Sequence, residues 1–209
     1  SVWAMWHQMQ EGDFVQTYTE KGFRGNDKEW ESMCIPFGED AKICLNGVID
    51  RVDLCSLPGE KLIKIIDYKS SDSQDLLLAK VYYGLQMQLL TYLEAAKEMV
   101  EKEHEGKEAV PAAMLYYVIK EKNLDWKPES EEEYEKRVLD SMKCKGYVNE
   151  EPEIIGHLDK SVVNGGELIP GQKSGVVPVA VDKKGLLKKN SGTLSTKDFE
   201  TLIAHTKEK

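Results

Sequence analysis

Hydrophobic and polar positions change period several times along the chain, and the changes mark out its elements. An aromatic-rich opening carries Trp3, Trp6, Phe14, Tyr18 and Phe23, with a spacing that starts in mid-helix and no cap before it. The polar stretch 26–29 leads into three strand-like runs, residues 32–37, 42–54 and 61–69. Their junctions, Gly38-Glu39-Asp40 and Leu57-Pro58-Gly59-Glu60, carry turn chemistry, so the runs predict a β-meander. The period then becomes helical, with Leu85, Leu89, Tyr92, Leu93, Ala96, Met99 and Val100 on one face. A β-rich run over 112–119 follows Pro111. Residues 131–142 predict a helix and 150–159 a weaker one. A Gly-rich loop over 165–175, a strand over 176–181 and a closing helix over 196–206 complete the chain. Ser195 caps that last helix, with Asp198 at its third position in place of the Glu or Gln of a full capping box. Strands, one long helix and a further strand make a mixed α/β architecture.

Two of the strands carry charge where a structural strand would not. In the run from Lys61 to Ser71, a side-chain period of two puts Ile63, Ile65, Asp67 and Lys69 on one face, the charged pair at the C-terminal end. A terminal ion pair of little worth is the plain alternative. In the preceding strand, Cys44, Asn46, Val48, Asp50, Val52 and Leu54 share a face, and Ile49, Arg51 and Asp53 share the other. Asp50 is thus flanked by valines on an apolar face, which is costly without a cation or partner. Sixteen residues, a hairpin's worth, separate Asp50 from Asp67, so the two acids can meet on adjacent strands. Two carboxylates and a lysine suit Mg²⁺, which takes a few carboxylate oxygens together with water and phosphate. On the helix, Gln88 and Tyr92 are i,i+4 and flank the buried face; Gln86 lies on the opposite flank and ranks below Gln88.

Composition narrows the field. The chain is 41% hydrophobic and 31% charged, with no apolar run of the roughly 18–20 residues that cross a bilayer and no secretory leader pattern. A net charge of −9 argues against a freestanding basic nucleic-acid clamp, though not against an enzyme touching nucleic acid at a small site. The charge is uneven: nine lysines against five acids give +4 over 160–209, leaving −13 for 1–159. The Glu-rich stretch 129–135 reads as a solvated helix N-terminus. Cys34, Cys44, Cys55 and Cys144 form no C-x-x-C pair and read as small buried hydrophobes in a reducing cytoplasm.

Taken in order, Gly47-Val-Ile-Asp50, Asp67-Tyr-Lys-Ser70 and Gln88-Leu-Leu-Thr-Tyr92 resemble the RecB-like branch of the PD-(D/E)XK nucleases. The likeness is greatest to the C-terminal nuclease domains of the AddB type, carried also by Tyr82-Tyr-Gly-Leu-Gln-Met-Gln88, Pro111-Ala-Ala-Met-Leu-Tyr-Tyr117 and Lys145-Gly-Tyr-Val148. The resemblance implies a restriction-endonuclease-like PD-(D/E)XK core, a mixed central β-sheet flanked by helices with C-terminal accessory elements. It divides the chain into 1–30, the end of a preceding helical segment; 31–125, the nuclease core; and 126–209, accessory helices and a strand. It implies a DNA exonuclease of a bacterial helicase–nuclease of the AddAB/RecBCD type, cytoplasmic, acting in double-strand-break repair with an AddA-like partner. Asp50 and Asp67 would hold Mg²⁺ or Mn²⁺, Lys69 would take the lysine's place, and Gln88 and Tyr92 would support the site and the DNA. An upstream acid or His often completes the metal set in the family, and Glu31, Glu29 and His7 are candidates. AddB-type domains usually carry a 4Fe-4S cluster; the cysteines here do not supply its trio, so the cluster is expected of a longer parent from which this chain is an excerpt.

Two other patterns compete for attention. Gly166-Glu-Leu-Ile-Pro-Gly171-Gln172-Lys173-Ser174 nearly spells a P-loop, but Gln172 shifts the lysine out of register and a surface loop is the better reading. Lys183, Lys184, Lys188 and Lys189 could touch a phosphate backbone or simply form a solvated hairpin. Besides an active DNA nuclease, the sequence admits a nuclease-like scaffold that binds DNA or a partner without cutting, and a relative acting on RNA or as a stand-alone CRISPR-associated exonuclease.

Overall fold

The structure, a computed structural model, describes residues 11–25, 30–37, 41–70, 76–119 and 130–206. Its centre is a six-stranded mixed sheet built from β1 (Gln16–Phe23), β4 (Gly47–Ser56), β5 (Glu60–Lys69), β6 (Glu108–Val118), β7 (Lys145–Asn149) and β10 (Thr193–Leu194), in the order β1-β4-β5-β6-β7-β10. Pairing is antiparallel except for β5 with β6 and β7 with β10. Two strands stand outside it as a hairpin, β2 (Met33–Phe37) and β3 (Ala41–Leu45), and β8 (Val163–Asn164) pairs with β9 (Glu167–Leu168). The helices are α1 (Leu78–Tyr82), α2 (Gln88–Glu103), α3 (Glu131–Ser141), α4 (Pro152–Leu158) and α5 (Thr196–Thr206). This is the α/β architecture of a mixed sheet flanked by helices that the sequence pattern predicts.

Alternation on the strands divides the core into two layers. Ile63 and Ile65 of β5 meet Leu89, Leu93, Ala96 and Val100 of α2, with Phe199 and Ile203 of α5 beyond. Leu62 and Ile66 point the other way and pack with Leu115, Val148, Ile155 and Leu158 under α4. Both faces are covered, so β5 and β6 read as near-continuous apolar runs. The parallel β5–β6 pair requires a crossover, and α2 is its helix. Register along that pair shifts between Ile63 and Lys64, opposite the step from Pro111 to Ala113, because proline offers no N–H to the ladder.

Several sequence expectations change. The run 42–54 is two strands, broken at Asn46, so the expected meander is a separate β2–β3 hairpin followed by β4–β5. Residues 16–23 form the edge strand β1 where the aromatic spacing suggested a helix. Leu85 precedes α2 and is exposed, so it is no part of the helix face. Residues 176–181 form irregular chain with isolated bridges, because Pro178 interrupts any ladder there. Ile49 lies in the α2-side core with Val52 and Leu54, not with Arg51 and Asp53. The alternation slips between Ile49 and Asp50, across from Glu20, which holds φ 49 on β1. At α5 the aspartate does complete the box: Asp198 N–H donates to Ser195 Oγ at 3.1 Å and Ser195 N–H to Asp198 Oδ2 at 3.3 Å.

The cysteines divide. Cys55 and Cys144 are buried free thiols as expected, and burial pushes the Cys144 thiol up to about 11. Cys34 and Cys44 are exposed and disulfide-bonded, because the β2–β3 register sets them directly opposite each other with Cα atoms 4.0 Å apart. Thiol titration of the unfolded, unreduced protein is expected to find two reactive groups; four would show that the hairpin is not cross-linked. Among the described residues no helix is long and apolar enough to cross a membrane.

Candidate active site

The C-terminal end of β5 carries the two charged residues singled out above, on the α2 face. Asp67 follows Ile63 and Ile65 in the alternation and is only 2% exposed. In the β4–β5 register Arg51 pairs with Ile66 and Val52 with Ile65. The next step brings Asp50 beside Asp67, where directly opposed Cβ atoms lie roughly 4.5–5.5 Å apart. Asp50 Oδ2 accepts the Tyr68 N–H at 2.8 Å, which fixes its carboxylate against β5. Lys69 Nζ lies 2.5 Å from Asp67 Oδ2 and donates to Gln88 Oε1 at 3.0 Å. Gln88 Nε2 in turn donates to Tyr92 Oη at 2.9 Å. The five residues Asp50, Asp67, Lys69, Gln88 and Tyr92 therefore stand together, four of them in one connected polar chain.

Local packing explains why the chain is held. The spacing i,i+4 sets Gln88 and Tyr92 one turn apart at the start of α2. Tyr92 packs edge-on against Phe23, with ring centroids 6.0 Å apart. A Cβ on Gly47 would stand 2.7 Å from the Phe23 ring and 3.6 Å from the Tyr92 ring, so the glycine before Asp50 is required by close approach. Gly47→Ala is expected to destabilise the protein by ~1–3 kcal/mol, as overpacking does, measured as a fall in the urea midpoint at unchanged slope. Gln86 is elsewhere: its Oε1 accepts the Leu77 N–H at 3.0 Å and ties down the start of α1.

Electrostatics at the two acids favours an incoming cation. Burial raises the Asp67 carboxyl above its usual value; Lys69 lowers it, and the neighbouring Asp50 charge adds to the rise. No donor among the described residues hydrogen-bonds Asp67 Oδ2 in good alignment, although Lys69 is close. A buried carboxylate facing a second carboxylate fits a hard divalent ion that also takes water and phosphate oxygens. Asp50 and Asp67 are the residues that would hold it. No group of three or more His, Cys, Asp or Glu in metal-binding array occurs among the described residues.

The upstream candidates fare differently. Glu31 is exposed and paired with Lys102 at 2.5 Å. Lys102 lies 14 residues after Gln88 on α2, about 21 Å along the axis, so Glu31 is not brought to the site. Glu29 and His7 lie outside the described residues. Tyr116, which the sequence pattern does not mark, is the lateral neighbour of Asp67 on β6, and its ring centroid is 5.2 Å from Lys69 Nζ. Burial first, then Asp67 and Tyr92, raise its phenol. Its signal was positional, since Tyr116 alternates with Met114 in a run that looked wholly apolar. The P-loop-like segment forms no phosphate cradle: Ser174 is buried, donating to Asp159 Oδ2 at 2.5 Å, and no helix follows it.

A mixed sheet with this arrangement at one strand end defines a class. The sequence profile of the PD-(D/E)XK nuclease superfamily matches residues 1–205, and the chain belongs to that superfamily. Its relatives are proteins named as the B-type component of an ATP-dependent helicase/deoxyribonuclease. The chain is 35% identical to that of Clostridium perfringens over 210 residues and 33% identical to that of Alkaliphilus metalliredigens over 208, covering 100% and 99% of itself. It is 33% identical over 195 residues to that of Staphylococcus carnosus. The chain spans 17% of the length of the first two relatives and 16% of the third.

Proposed function

We propose that the chain is a metal-dependent DNA nuclease domain that hydrolyses phosphodiester bonds, working as the exonuclease of a bacterial helicase–nuclease in double-strand-break repair. The observation that carries this reading is the connected chain Asp67–Lys69–Gln88–Tyr92 with Asp50 beside it. Asp50 and Asp67 would hold Mg²⁺ or Mn²⁺, and the ion would supply Lewis-acid polarisation of the scissile phosphate and a more acidic water. Lys69, fixed between Asp67, Gln88 and the Tyr116 ring, positions the attacking water and offsets the charge that develops on phosphorus oxygens. Gln88 holds Lys69 in that pose, and Tyr92 holds Gln88. The N-terminus of α2 opens at the same place, and its partial positive charge favours phosphate.

The relatives' shared name, helicase/deoxyribonuclease, supports DNA as the substrate and a helicase-bearing assembly as the setting. An acidic domain has no long-range attraction for a polyanion, so a cytoplasmic AddA-like partner would feed strand into the site. Any 4Fe-4S cluster would belong to the rest of such a longer protein. End-labelled single- and double-stranded DNA incubated with Mg²⁺ or Mn²⁺ tests the reading, in this chain and in the full-length protein. Metal-dependent shortening that disappears in Lys69→Ala is the expected result. Equal cleavage by wild type and Lys69→Ala, or none by the full-length protein, would contradict it; the latter favours a non-cutting scaffold.

A further inference from the structure

We propose that a lysine-lined cleft beside β7 binds the phosphate backbone of the DNA strand, about two to three nucleotides from the bond that is cut. This rests on the nuclease reading above. The cleft measures about 520 Å³ and lies between β7, the end of α3 and the loop that returns to β10. Lys143, Lys145, Lys173 and Lys189 line it, and Asp140 is the single acid among its described lining residues. Four lysines against one acid in the described lining, with Lys173 3.5 Å from Asp140, stand out in a chain of net charge −9. Such a concentration opposes the charge of the whole molecule and marks out a place for an anion.

Sheet register fixes where Lys145, on one wall of the cleft, stands relative to the acids. Asp67 pairs laterally with Tyr116, and Tyr116 pairs with Lys145. Lateral neighbours share a face, so Lys145 projects on the same side of the sheet as Asp67 and Lys69. Tyr147, two residues on, packs on the α2-side core, which agrees. Two inter-strand steps of about 4.8 Å put Lys145 roughly 10 Å from Asp67. A stacked strand rises about 3.4 Å per nucleotide, which gives the stated separation. Lys143, donating to the Ser174 carbonyl at 2.7 Å, forms the floor. Burial, then Lys173, lowers its ammonium to about 8, with Asp140 and Asp159 partly opposing.

The chain of 209 residues, free of metal and at low ionic strength, can be titrated against a short fluorescein-labelled oligothymidylate and followed by anisotropy. Lys173→Gln/Lys189→Gln removes two exposed rim charges without disturbing the core, and Lys183→Gln/Lys184→Gln removes two exposed lysines that lie outside the cleft. The cleft pair is expected to weaken binding about fivefold or more and to flatten the slope of log K against log salt by about 1.4, at about 0.7 per single-strand phosphate contact. The outside pair is expected to change affinity by less than about twofold. Lys145→Gln, with an unchanged melting temperature, is expected to weaken binding about threefold. Equal losses in both pairs, or no binding by the wild type, would overturn the proposal. Inorganic phosphate that competes as well as the oligonucleotide, phosphate for phosphate, would also overturn it, making the cleft a small-anion pocket. If the wild type cuts DNA but the cleft pair binds like wild type, the cleft fails and the nuclease reading stands. If no metal elicits cutting even by the full-length protein while the cleft pair alone loses binding, the nuclease reading and the stated spacing fail and the DNA contact stands.

Discussion

Asp67→Asn is expected to be more heat-stable than the wild type and to have lost metal-dependent cleavage. Asp67 is buried with a second carboxylate beside it, and its folded-state acidity is weakened by burial first and by Asp50 as well, with Lys69 only partly opposing. A carboxyl whose pKa is raised by folding contributes stability below its unfolded value, and that contribution is lost as pH rises through the folded value. At neutral pH the ionised Asp67 is therefore a cost to the fold, which a neutral isostere removes. The same substitution deletes one of the two carboxylates proposed to hold metal. Loss of a residue that only supports a metal ligand typically costs roughly 10–100-fold in metal affinity or activity, so the fall here is expected to exceed about 100-fold. Scanning calorimetry beside a cleavage assay reads both effects. A destabilised variant, or one that still cuts, would mean that Asp67 is an ordinary structural ion-pair partner of Lys69.

Asp53→Ala is expected to do the reverse, costing about 3–5 kcal/mol of stability. Asp53 is completely buried on the opposite face of β4. Its carboxylate is 2.7 Å from Arg51 Nε, 3.0 Å from Lys64 Nζ and takes the Thr17 hydroxyl at 2.9 Å. Removing it leaves two nearly buried cations without their acid. Burial alone would raise the Asp53 carboxyl, but Lys64 and Arg51 together hold it below its usual value. The sign of the pH dependence follows: its contribution is fully present above the unfolded pKa and is lost as pH falls through the lower folded one. Wild-type stability should thus fall on acidification below pH 3.8, and the Asp53→Ala difference should shrink there. A midpoint in urea within about 1 kcal/mol of wild type would show that the three charges are solvated in solution. The two buried aspartates thus take opposite parts: Asp53 is paired for the fold, and Asp67 is held at a cost that the proposed metal site would explain.

What the sequence disclosed follows the reach of local periodicity. Alternation on β5 put Asp67 and Lys69 on one face, and i,i+4 spacing put Gln88 and Tyr92 together; both depend on neighbours along one element. Asp50 beside Asp67 needed only the length of a hairpin. The slip at Asp50 could not be read, because it depends on Glu20 across the strand pair. Tyr116 and Lys145 joined the same row through pairings that no single-element pattern contains. Cys34 and Cys44 looked unrelated at a separation of 10 until the hairpin register set them opposite. Glu31 was attractive by its place in the chain and is excluded by its partner, Lys102, at the far end of α2.

The central claim is that Asp50 and Asp67 form a divalent-cation site, and calorimetric titration of Mg²⁺ or Mn²⁺ into the wild type and Asp67→Asn tests it most directly. Saturable binding in the wild type that vanishes in the variant is the predicted result. Wild-type binding that persists unchanged in Asp67→Asn, or no binding in the wild type and in the full-length protein, would contradict it.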